Sequence, residues 1–166
     1  MGPIGRDMAA FEKQLRQGSV TRAYRALLSY MTDLRAHFLR AHPDYVVSAV
    51  YQGHLDMTYF AVAPAALKQR RLKVAIVFDY GAFRFEAWLA AGNRQVQQRY
   101  WELASERHWE GCRVAAPGKG VDAIVACELA EGFDLDDREA LTARIERRAA
   151  EFVAAVEDFL AEHDAR

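Results

Sequence analysis

The chain reads as an α+β protein: helices at the N-terminus, a run of antiparallel strands in the middle and a long helix at the C-terminus. Three observations predict this. Apolar residues recur at spacings of three and four from Phe11 to Phe38, the period changes to two between Tyr45 and Ala90, and helical spacing returns from Leu141 to Phe159. The alternation is clearest in Phe83-Arg84-Phe85-Glu86-Ala87-Trp88-Leu89. A strand there puts Phe83, Phe85, Ala87 and Leu89 on one face and Arg84, Glu86 and Trp88 on the other.

Taken in order, residues 1–7, with Gly2, Pro3 and Gly5, show no periodicity and are expected as a flexible start to a single domain over residues 8–166. A first helix runs from about Met8 to Gln17, with Phe11 and Leu15 on one side and Gly18 as its stop. Ser19 or Thr21 caps a second helix whose stripe is Tyr24, Leu27, Leu28, Met31, Leu34 and Phe38, and Pro43 ends it. The two form an N-terminal helical hairpin. Strands over Tyr45 to Tyr51 and Leu55 to Ala63 meet at Gln52-Gly53, and Pro64 opens a short helical turn. Leu72 to Asp79 and Phe83 to Ala90 meet at Tyr80-Gly81, which completes a four-stranded meander. Asn93 caps a helix reaching about Trp109, with Val96, Tyr100 and Leu103 inward. Pro117-Gly118 turns the chain and Asp122 to Leu129 adds a strand, so the antiparallel sheet has four to five strands with one helix between the fourth and fifth. The last helix, roughly Asp137 to His163, carries Leu141, Ile145, Ala149, Phe152, Val156 and Phe159. So long a stripe is expected to leave apolar surface for a second copy, which predicts a homodimer.

The 22 basic and 23 acidic side chains nearly cancel, so no global field draws the protein to nucleic acid or anionic lipid. Charges interrupt every apolar run, and no membrane span is expected. Cys112 and Cys127 lack CxxC spacing and no long apolar leader is visible, so reduced thiols and a cytoplasmic location are expected. His37, His42, His54, His108 and His163 have no metal-ligand spacing, and neither a structural metal nor a cofactor is predicted. The acidic group from Glu131 to Glu139 lacks the glycine and terminal glutamate of a calcium loop and reads as helix-start stabilisation. Gly118-Lys119-Gly120 reads as a turn rather than a phosphate loop.

The candidate site is the polar strand face. With a two-residue turn at Tyr80-Gly81, Lys73 stands opposite Trp88 and diagonal to Glu86, on the side of Arg84; a register shift of one would move it to the other face. Asp56 lies on the preceding strand, and Asn93, Gln97 and Trp101 belong to the helix at the sheet end. These eight residues can bind a small molecule or a protein surface: arginine pairs with an anion or carbonyl, the indole stacks, and the carboxylate orients the arginine. The plain alternative is a salt-bridged strand. An enzyme using Asp56 and Glu86 as paired carboxylates, as a hydrolase or metal-dependent nuclease, is the competing class, although Trp88 stands where such a nuclease core has lysine. Ser48, His54 and Asp56 flank one hairpin turn and have no nucleophile elbow, which argues against a triad.

The blocks Pro43-Asp44-Tyr45, Leu55-Asp56-Met57-Thr58-Tyr59-Phe60, Lys73-Val74-Ala75-Ile76-Val77-Phe78, Phe83 to Leu89, Tyr100-Trp101 and Gly120-Val121-Asp122 together resemble a family of small bacterial proteins classed as a domain of unknown function. The resemblance extends from Met8 over nearly the whole chain. It implies single-domain architecture and bacterial origin, and it carries no activity, substrate or site residue.

Overall fold

Proline fits the first turn of a helix, where its missing N–H costs no hydrogen bond, and α1 (Pro3–Gln17) starts there rather than at Met8. The computed structural model describes residues 2–164. Most of the segment expected to be irregular is therefore helical, and Met1 lies outside the described residues. Gly18 closes α1 in the left-handed conformation (φ 79°), its N–H bonded to the Leu15 carbonyl, and α2 (Ser19–Ala41) follows at once. Gly18 also occupies the N-cap of α2, so neither Ser19 nor Thr21 caps it. Leu27, Tyr30, Met31, Leu34 and Phe38 of α2 enter the core, whereas α1 has no buried residue.

The sheet has six antiparallel strands: β1 (Val46–Val47), β2 (Met57–Ala63), β3 (Leu72–Asp79), β4 (Arg84–Ala91), β5 (Cys112–Val114) and β6 (Ala123–Ala130). Their order is β1-β2-β3-β4-β6-β5. The expected meander accounts for the first four, β6 pairs with β4, and the three-residue β5 forms the far edge, one strand beyond the upper count expected. Between them lie α3 (Ala65–Lys68), α4 (Arg94–Ser105) and, after β6, α5 (Arg138–Asp164). The first strand is much shorter than expected. After Val47 the chain leaves the ladder as a loop that returns through a single Tyr51–Tyr59 bridge. Gly53 shapes this loop: at φ 74° an added Cβ would lie 1.8 Å from the Met57 carbonyl oxygen.

The turn between β3 and β4 has four residues, Tyr80 to Phe83, instead of two. Asp79 explains the choice, because its Oδ1 accepts the N–H groups of Gly81 (2.8 Å) and Ala82 (3.2 Å) and fixes the wider turn. The register consequently pairs Lys73 with Ala90 and Trp88 with Ala75. This differs by two from the register of a two-residue turn, and a shift of two preserves the face. Lys73 thus shares a face with Arg84, Glu86 and Trp88. Phe83 does not join Phe85 in the core. It sits in the turn with φ 53°, 66% exposed, its ring stacked on Phe133.

Phe60, Val62, Val74, Ile76, Phe78, Phe85, Ala87 and Leu89 form the core side of β2, β3 and β4 with α2 and α5 packed against them. On β6 the pairing slips twice, between the partners of Phe85 and Glu86 and between those of Leu89 and Ala90. Each slip inserts a residue and lets neighbours share a side, which is why Ile124 and Val125, then Leu129 and Ala130, all belong to the core. The stripe of α5 is consumed here: Leu141, Ile145, Ala149, Phe152, Val153, Val156, Phe159 and Leu160 are all buried. The apolar stripe named from the sequence on that helix faces this protomer's own core. At the start of α4, Asn93 Oδ1 accepts the Val96 N–H at 2.9 Å as predicted. Asn93→Ala should lower stability by about 1 kcal/mol in urea denaturation, because one helix-start N–H loses its partner.

Candidate functional site

The sheet face opposite α2 and α5 carries a groove of about 480 Å³. Its walls come from four places: Tyr51 and Asp56 of the loop before β2, Met57 and Tyr59 of β2, Lys73, Ala75, Trp88 and Ala90 of the central strands, and the 91–97 segment with Asp122 at the far end. From Asp79, level with Met57, to Lys73 the strand rises roughly 20 Å, so the groove follows the strands rather than forming a closed cavity. Ala75 and Ala90 are buried beneath the larger side chains and act as its floor. The far end is tied together by hydrogen bonds. Gln97, 4% exposed, accepts from Arg94 Nη1 (2.8 Å) and donates to the Val121 carbonyl (2.9 Å), and Arg94 reaches the same carbonyl at 2.9 Å. Helix α4 thereby holds the 118–121 turn at the rim.

Glu86 lies on the same sheet face and is fully buried. Arg84 Nε donates to its Oε1 (2.8 Å), Trp88 Nε1 to its Oε2 (2.6 Å), and Arg113 grips both oxygens from β5 (3.1 and 2.9 Å). Burial by itself would raise this carboxyl, but the hydrogen bonds from Arg113, Trp88 and Arg84 outweigh it and hold the group below the ordinary glutamate range. The same bond raises Arg84 further above its usual value. The carboxylate is therefore sealed by its donors. What it does chemically is fix the indole of Trp88, whose ring lines the groove while its N–H points to Glu86.

Of the eight residues predicted as a site, Asp56, Lys73, Trp88, Asn93 and Gln97 line the groove. Arg84 and Glu86 stand beside it as the support of Trp88, and Trp101 packs against the hydrophobic core. Asn93 and Gln97 spend their polar groups on the cap and on the 118–121 turn. Asp56 is exposed, and N–H groups of His54 and Met57 hold its carboxyl below the usual range. Lys73 differs from all of these: half-buried in the groove, its ammonium has no hydrogen bond or ion pair among the described residues. Tyr51, Tyr59 and Arg113 are the residues the sequence did not point to. Tyr51 and Tyr59 become neighbours only through the single bridge, and β5 is too short to show a period.

The arrangement bears on the competing chemistries. Asp56 and Glu86 do not converge, since one is solvated at the groove's end and the other is enclosed by two arginines and an indole. Ser48 Oγ accepts the Ala61 N–H (2.8 Å) and donates to the Ala49 carbonyl, which commits it to the β1–β2 connection. Among the described residues no group of three His, Cys, Asp or Glu side chains is placed to hold a metal. The cysteines, expected as thiols, are joined: Cys112 and Cys127 face each other across β5 and β6 in a disulfide. No helix among the described residues is long and apolar enough to cross a membrane.

A six-stranded antiparallel sheet, backed by helices on one face and grooved on the other, places the molecule among α+β proteins of the sheet-and-helix kind. More narrowly, the chain matches the family model of the domain of unknown function DUF7000 over residues 4–160 and belongs to that family. No curated protein and no solved structure matches it.

Proposed function

We propose that the protein is a binding domain for a small molecule that joins an anionic group to a planar or apolar body. The observation that carries this is the Lys73 ammonium, without a hydrogen bond or ion pair among the described residues, in the same groove as an indole held by Glu86. An anion pairs with Lys73, and the body of the ligand lies on Trp88 with Tyr51 and Tyr59 alongside. Pre-fixing the ring removes part of the ordering cost of binding, which gives the arginine-glutamate cluster a purpose beyond stability. The enzyme reading, with Asp56 and Glu86 as a carboxylate pair, is disfavoured by the enclosure of Glu86. Nucleic acid is a poor candidate, because Asp56 and Asp122 at the groove offset the charge of Lys73 and Arg94. The cytoplasmic location expected from sequence would keep Cys112 and Cys127 reduced, so the disulfide favours a more oxidising compartment.

The test compares 2-naphthoate with its neutral amide by calorimetry. Wild type should prefer the carboxylate by at least tenfold. Lys73→Met should erase that preference, and Trp88→Ala should remove binding of both while the thermal midpoint stays within a few degrees. Equal affinity of the wild type for the two probes, or loss of neither contact on substitution, would count against this reading.

A further inference from the structure

Helix α1 is amphipathic, yet its apolar stripe is left uncovered by the described residues. Ile4, Met8, Phe11 and Leu15 lie on one stripe and are 73%, 59%, 48% and 42% exposed. A helix of 15 residues is near the lower limit for stability in water without packing, so a bare stripe of this size calls for a cover. The spacing identifies the kind of cover. Steps of four, three and four are those of alternating core positions in a two-helix seam, narrower than the stripe a helix presents to a sheet. We propose that α1 pairs antiparallel with α1 of a second copy of this chain, making a two-fold dimer through an element that contributes nothing to the protomer's own core.

The stripe is complementary to itself in that direction. Ile4 meets Leu15 and Met8 meets Phe11, each contact occurring twice about the two-fold axis, so every apolar position of the stripe faces another. The flanking charges choose the direction. Antiparallel pairing sets Asp7 beside Gln14 and Gly5 beside Glu12, with no like charges in contact. Parallel pairing would set Asp7 against Glu12 on both sides of the seam, a repulsive arrangement. Arg6, Lys13 and Arg16 project away from the seam positions, and Arg16 is already paired with Glu12 within the helix at 2.8 Å. Gly18 supplies the joint: its left-handed conformation sends α1 off the axis of α2.

The experiment is sedimentation of the full chain from 1 to 100 µM. A dimer is expected within that range, and Met8→Glu with Phe11→Glu should leave a monomer throughout. Because α1 has no buried residue, the double variant should keep the near-UV spectrum and thermal midpoint of the dissociated wild type, so failure to fold is distinguishable from failure to pair. Gln14→Lys reads the direction, placing a cation beside Asp7 only in the antiparallel pair, and should tighten association about threefold to tenfold. A wild type that stays monomeric at 100 µM overturns the proposal, as does a dimer indifferent to the Met8 and Phe11 substitutions. A dimer that those substitutions abolish but Gln14→Lys does not tighten overturns the antiparallel register. Strong hydrogen-exchange protection of α1 in the monomer would show that the helix folds back on its own chain, which also overturns it.

Discussion

Replacing Arg84 and Arg113 together with alanine should lower stability at pH 7 by about 3 kcal/mol and reverse the response to acid. Glu86 is fully buried, and without the guanidinium groups it keeps only the Trp88 N–H. A buried carboxylate stripped of its partners costs about 3 to 5 kcal/mol, and the low end applies because the arginine side chains are themselves 26% and 52% exposed and water can enter where they stood. The sign with pH follows from the folded value. In the wild type Glu86 titrates below its ordinary 4.5, so its contribution is present above that range and is lost as pH falls through the lowered value. In the double variant desolvation acts with little opposition and the carboxyl rises, so the variant loses stability as pH increases from about 4 toward 7. Urea melts at pH 4 and pH 7 measure both halves. Adding Glu86→Gln to the double variant should remove the pH dependence and recover part of the loss, since a neutral amide needs no counter-charge. If the double variant lost as much at pH 4 as at pH 7, the penalty would not lie in the charge of Glu86.

The sequence revealed those parts of the molecule whose physics is local. Helices α2 and α5 and strands β3 and β4 carry long periodic patterns, and their faces were readable because burial on one side is what enforces the pattern. The grouping of Lys73 with Trp88 depended on a turn that Asp79 widened by two residues; a side-chain acceptor for two N–H groups set the register, and the hydrophobic pattern was compatible with either width. Strand β5 escaped because three residues cannot display a period, and Arg113 escaped with it, although it supplies two of the hydrogen bonds on Glu86. The bulges of β6 hide in an apolar run, Ala123 to Ala130, broken only by Glu128, that reads equally well as a flat strand. Helix α1 was legible as a helix, and only its start at Pro3 and the exposure of its stripe were not. Amphipathic spacing announces that a face will be covered but says nothing about whether the cover lies in the same chain.

Removing the disulfide with Cys112→Ala and Cys127→Ala should cost about 3 kcal/mol, the closure entropy of a loop of this length. The bridge closes a separation of 15 residues, and the short β5 pairs with β6 through just three residues, Cys112–Cys127, Arg113–Ala126 and Val114–Val125, at the sheet edge. Thiol counting should find no reactive cysteine in the native or urea-unfolded wild type and two after reduction; two free thiols before reduction would sink the prediction at its first step. The consequence reaches the groove, because Arg113 is the residue next to the bridge and its grip on Glu86 requires β5 to stay in place. With the bridge gone, hydrogen exchange should accelerate across residues 111–116, and the arginine should already be partly released. Arg113→Ala, worth about 1 kcal/mol alone because the side chain is half-exposed, should then cost measurably less in the cysteine-free background than in the wild type. Additive costs in that cycle would mean that β5 stays seated without its disulfide, and that the hold on Glu86, and through it on Trp88, is independent of the bridge.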